Sequence, residues 1–254
     1  MEFTANITLK QENDIFIASL SFIDDCSKLK ILEIDSILHP LEYKRYSSFR
    51  NEKRQMSFIL GRYTAKMAIS SLCNFSPINQ IFIDAGVFNQ PIVKRPNLPN
   101  ICVSISHNEL SSIALAYPED YPMGIDLECI DEDRILNIPE FFTPHEHNLS
   151  AILYNNKPLF YTILWTAKES LSKVLKTGLT TGFNTLEVST IEYNLNGFYR
   201  ITFTNFFQYQ TFSIVFNDKV ITIILPRKTS IQSLEQIIGE GVSVNNMKNT
   251  IKLY

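Results

Sequence analysis

A long segment of helical periodicity at residues 156–176, followed by four strand-like segments at 184–193, 198–204, 211–216 and 220–225 with no helix between them, most restricts this fold. Parallel neighbours need a crossover of about a dozen residues or more, so strands this closely spaced must pair antiparallel. The first half of the chain shows the same mixture. Segments 3–9 and 15–22 alternate as strands, 28–38 and 52–72 have helical spacing, and 101–106, 112–117 and 123–129 are again strand-like. Strands and helices grouped in runs define an α+β fold. Pro118 and Pro122 bracket a connection that divides the chain into units 1–119 and 120–254, each with helices and several strands, although no repeat strong enough to establish duplication is legible.

Within 52–72, Met56, Leu60, Tyr63 and Met67 recur as one apolar stripe, which puts Arg54, Arg62 and Lys66 on another face. Thr143-Pro144-His145-Glu146 has the form of a capping box with proline at the first helical position, so a helix begins there. Gly178 is the expected stop of the helix over 156–176, and beyond Pro226 the one further expectation is a short helix at 231–238. With 254 residues and 45% hydrophobic content the chain can bury its own core. A net charge of -3 provides no general field for nucleic acid, so a polyanionic ligand has to meet a local basic patch. Met1-Glu2-Phe3 is not the start of a cationic, apolar leader, and no segment is long enough to span a bilayer. The expectation is a cytoplasmic protein with no membrane and no nucleic-acid partner. Cys26, Cys73, Cys102 and Cys129 form no C-x-x-C pair and read as buried reduced thiols.

In Gly124-Ile125-Asp126-Leu127-Glu128 the strand period turns Ile125 and Leu127 to the core and Asp126 and Glu128 to a shared opposite face. Carboxylates that close repel unless a proton or cation lies between them, which suits a hard, oxygen-seeking ion such as Mg²⁺; a solvated strand edge would carry the same pair. In the helix over 156–176, Phe160, Leu164, Ala167, Leu171 and Val174 make the buried stripe, and Thr162, Thr166, Glu169, Lys173 and Lys176 a polar one. Glu169 and Lys173 stand one turn apart. On an exposed helix such a pair contributes about 0.2–0.5 kcal/mol, whereas in a site it offers a third carboxylate to a metal and an ammonium to phosphate oxygens.

The strand Gly124 to Glu128 and the helix Trp165-Thr166-Ala167-Lys168-Glu169-Ser170-Leu171-Ser172-Lys173, with 43 residues from Asp126 to Glu169, resemble the paired motifs of the Sfp-type 4′-phosphopantetheinyl transferase family. Upstream, Ser104-Ile105-Ser106-His107 is similar to that family's strand-end S-H motif, and Gly61-Arg62 looks like the G-R of its first long helix. Asn89-Gln90-Pro91 resembles its nucleotide-side G-K-P or G-R-P segment, with Asn89 in place of the glycine and Gln90 in place of the cation. The likeness spans roughly residues 40–226.

The resemblance implies two pseudo-twofold-related α+β halves with coenzyme A in the cleft between them. It implies Asp126, Glu128 and Glu169 as Mg²⁺ ligands, and Glu169, Lys173 and His107 as catalytic groups. Coenzyme A contacts would come from Arg62, Arg54, Lys44, Arg45, Gln90, Pro91, Ser106, His107 and Lys173. The implied reaction moves phosphopantetheine from coenzyme A to a serine of a transiently bound acyl or peptidyl carrier protein, releases 3′,5′-ADP, and uses Glu169 as base directly or through a water. The two-half form is similar to the broad-specificity, monomeric enzymes of secondary metabolism. His145 and His147 match no motif and are expected at the surface. Two other functions stay open: a different Mg²⁺-dependent phospho- or nucleotidyltransferase, against which stands the missing G-x-x-x-x-G-K-[ST] loop, and a catalytically silent module that binds coenzyme A or a carrier.

Overall fold

In the computed structural model, which describes residues 1–25, 33–94, 100–132, 139–153, 156–194 and 197–231, the strands form two five-stranded antiparallel sheets and a separate two-stranded hairpin. In chain order the first half comprises β1 (Glu2–Gln11), β2 (Asp14–Ile23), α1 (Ile34–Ile37), α2 (Pro40–Ser47), α3 (Glu52–Cys73), β3 (Phe82–Ala85), β4 (Pro91–Lys94), β5 (Ile101–His107) and β6 (Ser112–Pro118). The second comprises β7 (Gly124–Cys129), α4 (Pro144–Asn148), α5 (Lys157–Leu175), β8 (Val188–Tyr193), β9 (Tyr199–Phe203), β10 (Tyr209–Phe216), β11 (Lys219–Pro226) and β12 (Thr229–Ile231). The first sheet runs β12-β1-β2-β6-β5 and the second β7-β11-β10-β9-β8. The last strand therefore returns to pair with the first. Among the described residues no helix is long and apolar enough to cross a membrane.

Strand alternation explains the layering. On β6, Ile113, Leu115 and Tyr117 point into a core shared with Ile221, Ile223 and Leu225 of β11, so the two sheets pack face to face. Ala114 and Ala116 point the other way, against Ala65, Ala68 and Ile69 of α3. Val220 and Ile224 likewise meet Phe160, Leu164 and Leu171 of α5. The result is helix, sheet, sheet, helix.

The small residues under α3 correct the expected stripe. Of Met56, Leu60, Tyr63 and Met67 only Leu60 is fully buried, and the buried face instead carries Thr64, Ala65, Ala68 and Ile69. A sheet surface of alanines lets a helix come close only if the helix also presents small side chains. Lys66, expected on a face apart from the apolar stripe, is wholly buried. Thr166 and Thr162 on the polar side of α5 are buried too, Thr166 through a 2.7 Å hydrogen bond with Thr222. The left-handed residue that stops α5 is Lys176 (φ 57°), two residues before Gly178. The capping box of Thr143 and Glu146 forms as expected. His145 is exposed, whereas His147 is half-buried with its ring 2.9 Å from the Tyr161 hydroxyl. Cys73, Cys102 and Cys129 are free and half-buried, and Cys26, residues 28–32 of the first expected helix and residues 232–238 of the last lie outside the described residues.

Side-chain bonds reveal a repeat that the sequence reading passed over. Glu42 stands at the third position of α2 in a capping box with His39, pairs with the buried Lys66 and accepts the Ile83 N–H of β3. Glu146 stands at the third position of α4 in a capping box with Thr143, pairs at 2.7 Å with the buried Lys168 and accepts the Val188 N–H of β8. Both lysines end a Thr-Ala-Lys triplet, 64–66 and 166–168. The two halves are built on one frame.

Candidate active site

Two glycines bring the site's elements together, one within each half. A side chain on Gly124 would lie 2.8 Å from the Ser170 carbonyl of α5, so glycine alone lets β7 run this close to the helix backbone. A side chain on Gly61 would lie 3.1 Å from the His107 ring, which rests across α3 at the end of β5. His107 Nδ1 is 3.3 Å from Ser57 Oγ.

As expected from the strand period, Ile125 and Leu127 are buried in the inter-sheet core, and Asp126 faces α5. Lys173 Nζ donates to Asp126 Oδ1 at 2.7 Å and to the Ile125 carbonyl at 2.9 Å. Ser106 Oγ donates to the same Asp126 oxygen at 2.8 Å, while Ser104 Oγ accepts the Ile125 N–H, so two serines of β5 tie the first half to the edge of β7. Asp126 Oδ2 is buried with no partner. Burial, then the charges of Asp126 and Glu128, push the Glu169 carboxyl up to about 7, against the opposing pull of Lys173. Burial, then Lys173 and Arg62, hold the His107 imidazole below its usual value.

These side chains line one cavity of about 450 Å³. Arg45, Arg62, Ser57, Ser106 and His107 come from the first half, and Asp126, Glu128, Glu169 and Lys173 from the second. Arg45 and Arg62 face the three carboxylates across it, with Asp84 on the first-half wall and Lys173 on the second as the exceptions. Pro91 also reaches this wall, and a second cavity of about 510 Å³ adjoins it, sharing Asn89, Pro91, Ile105 and Lys173.

Three expected contacts stand elsewhere. Lys44 is exposed on α2, and Arg54 is exposed with its guanidinium 4.9 Å over Phe49; neither lines the cavity. The Gln90 side chain folds back into the β3–β4 hairpin, where its amide oxygen accepts the Phe88 N–H, and it borders only the second cavity. Glu42 and Asp84 were not anticipated. The signal for Glu42 was present as His39-Pro40-Leu41-Glu42, the same proline and glutamate placement as at 143–146.

Among the described residues no three His, Cys, Asp or Glu side chains converge as a ready-made metal centre, and the Lys173 ammonium occupies one oxygen of Asp126. The donor set nevertheless suits a hard divalent cation: a buried carboxylate oxygen lacks a partner, and burial together with the charges of Asp126 and Glu128 keeps Glu169 protonated up to near neutrality when no cation is bound.

Fold and site together define an α+β protein of two stacked half-units with one polarised cleft where they meet. The sequence model of the 4′-phosphopantetheinyl transferase superfamily matches residues 122–224, the stretch that carries β7 and α5. A holo-[acyl-carrier-protein] synthase of Mycoplasma capricolum is 33% identical over 90 residues, covering 35% of this chain and 80% of that protein. This chain belongs to the 4′-phosphopantetheinyl transferase superfamily and is an enzyme of that class. Two solved structures are also similar. A holo-(acyl-carrier-protein) synthase from Bacillus anthracis in complex with CoA (3′,5′-ADP) matches with TM-score 0.35 and 20% identity, over 44% of this chain and 96% of that one. A holo-ACP synthase from Plasmodium yoelii matches with TM-score 0.35 and 19% identity, over 45% and 95%.

Proposed function

We propose that the enzyme transfers 4′-phosphopantetheine from coenzyme A to the serine of an acyl or peptidyl carrier protein, with Mg²⁺ as cofactor, in the manner of the two-half Sfp-type enzymes. The observation that carries this reading is the polarised cavity, with Arg45, Arg62 and His107 opposite Asp126, Glu128 and Glu169 and with Lys173 between them. A cation wall suits a diphosphate, and a carboxylate wall suits the metal that accompanies one.

Asp126, Glu128 and Glu169 would hold Mg²⁺, which when bound supplies positive charge to the phosphate oxygens. Arg62 and Lys173 orient the diphosphate and neutralise charge that builds on the leaving group, and His107 offers a ring N–H to a phosphate oxygen. Glu169 is placed to take the proton of the carrier serine, directly or through a water. The serine oxygen forms a bond to the β-phosphorus, the bond from that phosphorus to the bridging oxygen breaks, and 3′,5′-ADP leaves with the electron pair. The name of the Mycoplasma relative supports an acyl carrier as acceptor class.

The test is to incubate the enzyme with coenzyme A, Mg²⁺ and a panel of apo carrier proteins and to weigh the carriers by mass spectrometry. The phosphopantetheine increment is expected on at least one acyl or peptidyl carrier. Its absence from every carrier would remove the proposal.

A further inference from the structure

Arg62 is a cation that the framework does not need. Its side chain is 13% exposed, its Nε lies 3.3 Å from Glu42 Oε1, and its guanidinium stacks 4.7 Å over the Phe58 ring. The buried Nε makes no hydrogen bond, so the contact with Glu42 is one of opposite charge alone. Glu42 is already satisfied without it. One carboxylate oxygen accepts the His39 N–H at 2.9 Å and the Lys66 ammonium, and the other accepts the Ile83 N–H at 3.0 Å.

The second half shows what this carboxylate does when it serves the fold alone. Glu146 accepts the Thr143 N–H, the Lys168 ammonium and the Val188 N–H. In the register set by the two Thr-Ala-Lys triplets, the place of Arg62 is taken by Leu164, which is fully buried. One cation per carboxylate thus suffices to tie helix to hairpin. Burying most of an arginine beside a carboxylate that already has a lysine costs solvation and leaves the group with an excess positive charge, since Asp84, the other acid that acts on Arg62, is itself paired with Lys94. That charge lies on the wall of the cavity, on the side of Arg45 and His107.

We propose that Glu42 is a positioning residue: by holding Lys66 and Arg62 on one buried carboxylate, it fixes the Arg62 guanidinium on the cavity wall to receive a phosphate oxygen of coenzyme A. The inference rests on the functional reading above for the identity of the ligand. A flexible arginine would lose rotamer entropy on meeting the phosphate; one clamped between a carboxylate and an aromatic ring has lost it during folding.

Calorimetric titration of coenzyme A in the presence of Mg²⁺ tests this. Arg62→Leu, which installs the residue of the other half, is expected to weaken binding roughly 10-fold to 100-fold, the range for a lost charge-assisted hydrogen bond, and Arg62→Lys to recover part of it. Glu42→Gln should weaken binding comparably in the wild-type background and by less than about twofold in the Arg62→Leu background, since coupled residues fail to add. Glu146→Gln makes the same cut in the other half; it should lower the melting temperature and leave coenzyme A affinity unchanged. Should Glu42→Gln not fold, the two Arg62 variants carry the test. Wild-type affinity in Arg62→Leu, or an undiminished Glu42→Gln effect in the Arg62→Leu background, overturns the proposal alone. A wild-type protein that does not bind coenzyme A overturns the functional reading and this inference with it.

Discussion

The two halves share a frame and differ in what stands on it. Both have a capping-box glutamate, a buried lysine at the end of Thr-Ala-Lys, and a first hairpin or sheet-edge strand that donates to the glutamate. From the lysine onward they part. Lys66 is followed by Met67 and, four residues further, by Ser71, where Lys168 is followed by Glu169 and then Lys173. β2, which precedes its helices as β7 does, has Ser19 and Ser21 buried in its middle, whereas β7 has Asp126 and Glu128. The second half places three of the cleft's four acids, all but Asp84, and the first meets them with Arg45, Arg62 and His107. A duplicated frame with the chemistry divided between its copies separates the residues that fold the protein from those that act.

The largest effect expected from that division is loss of transfer in Asp126→Ala, Glu128→Ala and Glu169→Gln, each by about 10³-fold or more in kcat with the circular dichroism spectrum kept. Met67→Ala, at the place in the first half that corresponds to Glu169, should stay near wild type. Equal damage at both places would end the comparison. Next come the two buried lysines. Removing one partner of a buried pair costs about 3–5 kcal/mol, so Lys168→Met should lower urea stability by about that much and Lys66→Met by less, because Arg62 remains beside Glu42; a loss below about 1 kcal/mol in Lys168→Met would show that Glu146 is not a frame residue.

Lys173→Ala should cost roughly 2–4 kcal/mol of transition-state stabilisation, read as kcat/KM, because it removes a cation from the phosphates while leaving the carboxylates in place. Full activity would reduce Lys173 to the partner of Asp126 seen without ligand.

The smallest effect is linked to pH. Glu169 holds its proton more tightly in the folded protein, so its favourable contribution is complete below the unfolded value near 4.5 and is lost as pH rises through about 7. In chelator, Glu169→Gln, which stays neutral, should gain stability over wild type across that window and then hold the gain, on the order of 1 kcal/mol after allowance for its partial exposure. A difference that does not vary with pH in urea unfolding would show that Glu169 is not held near neutrality.

Much of the second half was legible because its chemistry is encoded at short range: the strand period alone turns Asp126 toward the helix that bears Glu169 and Lys173. The four strands from 184 to 225 were legible from alternation, and their antiparallel pairing from the short connections between them. What was lost lies in the first half. The β3–β4 hairpin escaped notice because its strands are four residues each. The burial of Lys66 was not legible because nothing within a helix turn announces a partner 24 residues upstream. The apolar stripe of α3 was drawn through Met56, Tyr63 and Met67 because alanine and threonine carry little weight in a periodicity, although they are what an alanine-faced sheet requires. Gln90 was read from its place in a motif, and its side chain is spent within its own turn.

The division of labour itself is tested most directly by binding of Mn²⁺, as a paramagnetic stand-in for Mg²⁺, followed by electron paramagnetic resonance in the presence of coenzyme A. Glu169→Gln and Asp126→Ala are expected to lose the bound-metal signal, whereas Arg62→Leu regains the full wild-type signal once coenzyme A is raised to saturation. A metal signal that survives in both acid variants, or that is missing from Arg62→Leu at saturating coenzyme A, would contradict it.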